Sequence, residues 1–131
     1  MPLEPTDITL TDQDREVYHE QGYWISPVLF DAAEVGVLRR EVERTCAGER
    51  DYDGFYWLKQ PAFVEDDPAS RQVNNGWWVN QAIRRAVLAP VVGHIGAGLM
   101  DTQEVRVWHD QVLWKPGLGV DGKRDLSNNI G

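Results

Sequence analysis

The sequence predicts an α+β fold in a single domain, and three observations carry this prediction. Two capping patterns indicate helices that begin after Thr11 and after Asp31. An unbroken run of β-branched and aromatic residues from Glu104 to Lys115 is typical of a strand. With 131 residues the chain is too short for two ordinary domains, so one domain over residues 1–131 is expected.

The first predicted helix begins after Thr11. Thr11 and Asp14 have the spacing at which an N-cap hydroxyl and an acid three positions later satisfy each other's backbone N–H groups. Gly22 can adopt the left-handed conformation that ends a helix. Residues 23–25, Tyr-Trp-Ile, then predict a short strand, and residues 1–10 are expected to be loose.

The second predicted helix runs from about Ala32 to Ala47. Asp31 and Glu34 repeat the capping pattern at its start. Apolar residues follow at steps of three and four, so one apolar stripe runs down the helix. The stripe consists of Val35, Leu38, Val42 and Cys46.

Two further helices are predicted in the second half of the chain. Asn80 can cap a helix that continues through Leu88. Pro90 suits the first turn of another helix, which reaches about Leu99. Three glycines are expected to weaken this last helix, because glycine has a low helix propensity. They are Gly93, Gly96 and Gly98.

Short strands or loops are predicted between Gly48 and Gly76, where aromatic pieces alternate with Asp, Pro and Ser. In the longer predicted strand, alternation places His109 and Gln111 on one face and Trp108 on the other. Each face mixes apolar and polar residues. This pattern is expected of a strand that is buried on one side and lines a polar pocket on the other.

The composition argues against a nucleic-acid partner and against a membrane protein. A net charge of −8 and a pI near 4.7 argue against a nucleic-acid partner, because such binding depends on clustered Lys and Arg. A single cysteine, Cys46, forms no internal disulfide, which fits a reducing compartment. Since no apolar run approaches the ~20 residues that span a bilayer, we expect a cytoplasmic protein with no membrane contact.

The sequence predicts neither a dinucleotide-binding site nor a nucleophile site. Gly117 to Gly122 read G-x-G-x-x-G, but the residues that follow show no helical periodicity to receive a pyrophosphate, so a plain glycine loop is expected. No G-x-S-x-G occurs, and Cys46 lies on the apolar stripe of a predicted helix. A buried core thiol is therefore the simplest interpretation of Cys46.

The three histidines offer no obvious metal site. Non-heme iron oxygenases use two His and one carboxylate, and a strand delivers two of these ligands as His-x-Asp or His-x-Glu. His19, His94 and His109 are each followed two positions later by a residue other than Asp or Glu. No metal ligands are therefore predicted in this chain.

His109 and Lys115 each admit two interpretations. His109 is either a strand histidine that bonds to a neighbouring hydroxyl or carbonyl, or a pocket-lining group that contacts a ligand. Lys115 either meets a ligand carboxylate or is a solvated residue at the end of the strand.

Two parts of the chain resemble the phytanoyl-CoA dioxygenase family. Residues 18–25, 28–30 and 34–43 are similar to its N-terminal signature, in which an aromatic helix ends in Gly-Tyr and a second capped helix follows. Residues 106–117, Arg-Val-Trp-His-Asp-Gln-Val-Leu-Trp-Lys-Pro-Gly, look like the strand that leads into the catalytic core. In family members the segment resembling residues 127–131 continues directly into Trp-His-x-Asp. The His and Asp of this motif are the first two iron ligands of the family.

The resemblance implies a double-stranded β-helix with flanking helices, of which this chain is expected to be a truncated N-terminal portion. The family uses Fe(II) and 2-oxoglutarate to hydroxylate a small organic substrate. This chain lacks the His-x-Asp pair and the distal His, so it is expected to bind neither cofactor alone and to be catalytically silent. By position, Gln111 falls beside the 2-oxoglutarate, with His109 and Lys115 as its neighbours on the same face.

A different class of function is also open. The helices and strands could pack as a small non-catalytic α+β binding or interaction domain. If the chain is instead a truncated oxygenase, its incomplete sheet would leave strand edges exposed, and self-association through those edges is expected.

Overall fold

The computed structural model describes residues 7–52 and 70–115. The predictions for residues 1–6, for the aromatic pieces within 53–69 and for the glycine loop at 117–122 lie outside this part. The described elements are α1 (Asp12–Gln21), α2 (Ala32–Cys46), β1 (Arg71–Asn74), a 3₁₀ turn (Gly76–Trp78), α3 (Gln81–Val87), α4 (Pro90–Leu99) and β2 (Gln111–Trp114). They confirm the α+β class. No helix among them has the length and apolar character that crossing a membrane requires.

Helix α1 has the predicted capping box. The Asp14 backbone N–H donates to Thr11 Oγ1 at 3.2 Å, and the Thr11 N–H donates to Asp14 Oδ2 at 2.7 Å. Gly22 ends the helix with φ of 78°. The strand predicted at residues 23–25 is wrong. The Trp24 indole N–H instead donates to Asp14 Oδ1 at 2.9 Å, so this segment is held by side-chain contacts rather than by a strand ladder.

The first hydrophobic core joins α1 to α4 and to the segment that precedes α1. The N-terminal segment adds a polar contact, because His94 Nε2 lies 3.1 Å from the Ile8 carbonyl oxygen and donates to it. Apolar side chains from α1 and from the chain after it complete this layer. Its buried members are Ile8, Ala89, Val91, Ile95 and Leu99, with Leu10, Tyr18, Trp24 and Leu29 packed against them.

The second core lies between α2 and the sheet. The capping box of Asp31 and Glu34 is confirmed, and so is the helix that follows. Its apolar stripe is only partly buried, because Val35 is 52% exposed while Cys46 lies in the core. This core contains Cys46 and Val73, with Val42, Val112 and Trp114 packed against them.

Within the described ranges the sheet consists of β1 and β2, which pair in antiparallel orientation. The predicted strand from Glu104 to Lys115 is therefore wrong over residues 104–110. Its partner strand, β1, is short, because Asn75 has φ of 55° and the 3₁₀ turn begins at the next residue. The backbone after β1 therefore turns away from residues 104–110. The last inter-strand contact is the Asn75 N–H donating to the Asp110 carbonyl at 2.8 Å.

Helices α3 and α4 confirm the predictions for Asn80 and Pro90. Asn80 Oδ1 accepts the N–H groups of Ala82 and Ile83, at 2.9 and 3.0 Å. Pro90 occupies the first turn of α4. One of the three glycines has a packing role: a Cβ on Gly98 would lie 2.5 Å from Leu10 Cδ1, so glycine there permits the close approach of the N-terminal segment.

Candidate functional site

The two faces of the sheet have different surroundings. One face packs on α2 through Val73 and Val112, and we call it the core face. The other carries mainly amide side chains, and we call it the open face; on it Leu113 is 49% exposed. The register that defines both faces is Arg71 with Trp114, Gln72 with Leu113, Val73 with Val112 and Asn74 with Gln111.

Three amide side chains form a hydrogen-bonded row on the open face. Asn74 Oδ1 accepts from Gln111 Nε2 at 3.1 Å and from Gln72 Nε2 at 3.2 Å. Each glutamine keeps a second N–H and a carbonyl oxygen, and Asn74 keeps both of its N–H donors. This set, which we call the amide row, can therefore donate to an anionic oxygen and also accept a hydrogen bond.

The start of β2 is held by Asp110. Its backbone carbonyl accepts from Asn75, and its Oδ1 accepts the Trp77 N–H at 3.0 Å. Gly76 lies so close that an added Cβ would be 3.2 Å from Ile83 Cδ1 and 3.4 Å from Asp110 Oδ2. These contacts fix Asp110, which immediately precedes Gln111. The position of the Gln111 side chain is therefore set by the 3₁₀ turn as well as by the strand pairing.

The structure places the three predicted binding residues differently. Gln111 is the first residue of β2 and belongs to the amide row. His109 lies in the extended stretch before β2, and Lys115 follows its last residue; both are exposed. Neither contacts another residue of 7–52 or 70–115 by a hydrogen bond or ion pair, so the structure does not bring them together with Gln111.

Sequence reasoning missed Gln72 and Asn74. The local signal was present, because Arg71–Asn74 alternate in a way that can put two amides on one face of a strand. It was weak, since four residues seldom identify a strand. Only the pairing of β1 with β2 shows that these amides meet Gln111.

The described residues do not fit an iron site. Among residues 7–52 and 70–115, no group of three His, Cys, Asp or Glu side chains is arranged to hold a metal ion. His19 lies against the Tyr18 ring, with ring centroids 5.6 Å apart, and His94 bonds to the backbone of residue 8.

Cys46 is a core residue, as the sequence predicts. It is 9% exposed and packs between α2 and the sheet. Burial raises the pKa of its thiol, because the low-dielectric surroundings disfavour the thiolate, although the nearby Arg71 opposes this effect. A thiolate nucleophile is therefore disfavoured at this position.

Comparison with protein-family models, with curated proteins and with solved structures finds no match to this chain. The support for a function is therefore the geometry of the amide row and the two-faced sheet that carries it.

Proposed function

We propose that this chain is the N-terminal part of an Fe(II)- and 2-oxoglutarate-dependent dioxygenase of the phytanoyl-CoA dioxygenase type. In this proposal the substrate is a small organic molecule, and the open face of the sheet forms one wall of the co-substrate pocket. The observation that carries it is the division of the sheet into a face packed on α2 and a face that presents Gln72, Asn74 and Gln111. Antiparallel sheets commonly have one face packed on the core and one face in contact with solvent, and in this proposal the second face lines the pocket.

The amide row suits a ligand with carboxylates. Gln72 and Gln111 each retain an N–H donor, and amide donors bind carboxylate oxygens by charge-assisted hydrogen bonds. Leu113 continues the same face as an apolar side chain that could contact the methylene carbons of 2-oxoglutarate. Lys115, one residue beyond β2, adds a positive charge near the end of the strand.

When bound, iron and 2-oxoglutarate would supply the oxidising chemistry. In this proposal the iron ligands are a distal His together with the His and Asp of the Trp-His-x-Asp motif, which family members carry after the segment resembling residues 127–131. The roles left to the described residues are to bind and orient the co-substrate through the amide row and to hold that row in place through Asp110.

Two measurements test the proposal. The transcript should continue beyond the codon for Gly131 and encode Trp-His-x-Asp; a stop codon at that point would contradict the enzyme assignment. The purified chain of 131 residues should show no saturable change in tryptophan fluorescence when titrated with Fe(II) and 2-oxoglutarate. Tight stoichiometric iron binding would show that this chain holds its own metal and is not a fragment of the site.

A second function is favoured by one specific surface. Trp108 is 90% exposed, and Val105 and Val107, in the same stretch, are 39% and 40% exposed. Exposed aromatic residues of this kind are frequent anchors in protein interfaces. A small non-catalytic interaction domain would use this surface, and Trp108→Asp would then abolish concentration-dependent association measured by sedimentation. Association that is absent, or unchanged in the variant, would exclude this role for the surface.

A further inference from the structure

We propose that a groove between α2 and α3 is a second ligand site, which binds a small apolar molecule carrying one anionic group. The groove has a volume of about 790 Å³ and shares no residue with the amide row. Small-molecule sites commonly have volumes of roughly 300–1,000 Å³, so the size suits a ligand of two or three rings. This proposal does not depend on the dioxygenase assignment.

The walls of the groove are mainly apolar. Phe30 and Leu38 line it from the α2 side, and Leu88 lines it from the end of α3. Val37 and Leu88 are each 40% exposed, so apolar side chains on both walls remain in contact with water. A ligand that covers them would bind more tightly, because the free energy of binding becomes more favourable in proportion to the apolar area removed from solvent.

The charges at the groove select an anion. Arg84 and Arg85 both line it, and Arg85 forms no ion pair or hydrogen bond with any residue of 7–52 or 70–115. Arg84 lies over the Trp77 ring, 5.1 Å from its centroid, and likewise has no carboxylate partner in that part of the chain. These two cations stand out in a chain with a net charge of −8.

One carboxylate, Glu34, is among the described lining residues. Its Oε2 accepts the Asp31 backbone N–H at 2.9 Å as part of the α2 capping box, so it is engaged at the helix start. Among residues 7–52 and 70–115, the lining groups therefore carry two positive charges and one negative charge. Because a guanidinium offers two parallel N–H donors, a carboxylate or sulfonate is the head group that fits this surplus.

The test is isothermal titration calorimetry of the purified chain with 2-naphthoate as the probe. We expect saturable binding at one site, and Arg85→Ala should weaken it about tenfold through loss of a charge-assisted bond. Arg106→Ala is the matched control, because it removes the same charge at an 84% exposed side chain outside the groove. The control should bind naphthoate as the unmodified chain does.

Two further titrations make the outcome decisive. The neutral analogue 2-naphthalenemethanol should bind about tenfold more weakly than naphthoate, for the same reason. Ala86→Trp, which fills the groove, should abolish binding while circular dichroism shows the helices intact. The proposal is overturned if naphthoate does not saturate, if the neutral analogue binds equally well, or if Arg85→Ala and Arg106→Ala have the same effect.

Discussion

At the scale of single residues, a buried polar side chain connects two helices through its hydrogen bonds. Asn80 is 2% exposed and satisfies groups on two helices. Its Oδ1 caps α3, and its Nδ2 donates to Glu41 Oε2 of α2 at 2.8 Å. Glu41 also pairs with Arg44 at 2.6 Å, so a single amide connects a helix start to an ion pair.

Asn80→Ala should lower the free energy of unfolding by about 2 kcal/mol, because it removes both the cap and the bond to Glu41. Asn80→Ser keeps a capping oxygen and loses only the bond across the helices, so it should cost about half as much. Urea denaturation measures both values. Equal losses in the two variants would show that the cap contributes nothing.

Asp14 makes stability depend on pH. Hydrogen bonds from the Thr11 side chain, the Thr11 backbone and the Trp24 indole lower the pKa of its carboxyl below the ordinary value of 3.8. A pKa that is lower in the folded state contributes stability above the unfolded value, and this contribution is lost as the pH falls through the folded value.

The stability advantage of the unmodified chain over Asp14→Asn should therefore be present at pH 7 and should disappear as the pH falls below 3.8. Trp24→Phe keeps an aromatic ring but removes the indole donor to Asp14, so the part of its stability loss that depends on pH should be smaller over the same range. Thermal unfolding followed from pH 7 to pH 2 measures the difference. Parallel curves for all three proteins would contradict this role of Asp14.

At the scale of elements, helix boundaries could be predicted because their signals are local. The pairs Thr11 with Asp14 and Asp31 with Glu34 lie within one turn, and each cap is formed as predicted. Strand boundaries could not be predicted in the same way, because a strand ends where its hydrogen-bonded partner strand ends. Residues 104–110 have strand-like composition, but the neighbouring chain turns away at Asn75.

The glycines of α4 should respond differently to substitution. A Cβ on Gly93 would meet nothing within 4 Å, so Gly93→Ala should stabilise the chain by about 1 kcal/mol through helix propensity alone. Gly98→Ala gains the same propensity but displaces Leu10, so its net gain should be smaller. Thermal unfolding compares the two variants, and an equal gain would show that Leu10 is not packed there.

The two faces of the sheet should differ in their sensitivity to truncation. Val73 is 7% exposed on the core face, and Val73→Ala should cost about 2 kcal/mol. Leu113 is 49% exposed on the open face, and Leu113→Ala should change stability by less than about 0.5 kcal/mol. Chemical denaturation measures both values. Reversed costs would mean that the register is shifted by one residue.

At the scale of the whole molecule, the candidate site was only partly predictable. Gln111 was selected by its position in the segment that resembles the dioxygenase family, whereas its partner Asn74 lies 37 positions away in sequence. No local pattern reports which of several short segments pairs with a strand, because that choice depends on how α2 packs on the sheet. His109 and Lys115 were grouped with Gln111 by alternation, and that grouping assumed a longer ladder than the described residues form.

The most direct test is the Michaelis constant for 2-oxoglutarate, measured by its conversion to succinate with the product of the complete reading frame. Gln111→Ala should raise this constant about tenfold, because it removes an N–H donor to a carboxylate. Arg106→Ala, at an exposed position outside the amide row, should leave it unchanged. Absence of turnover, or a Michaelis constant that is the same in both variants, would contradict the assignment of the open face to the co-substrate pocket.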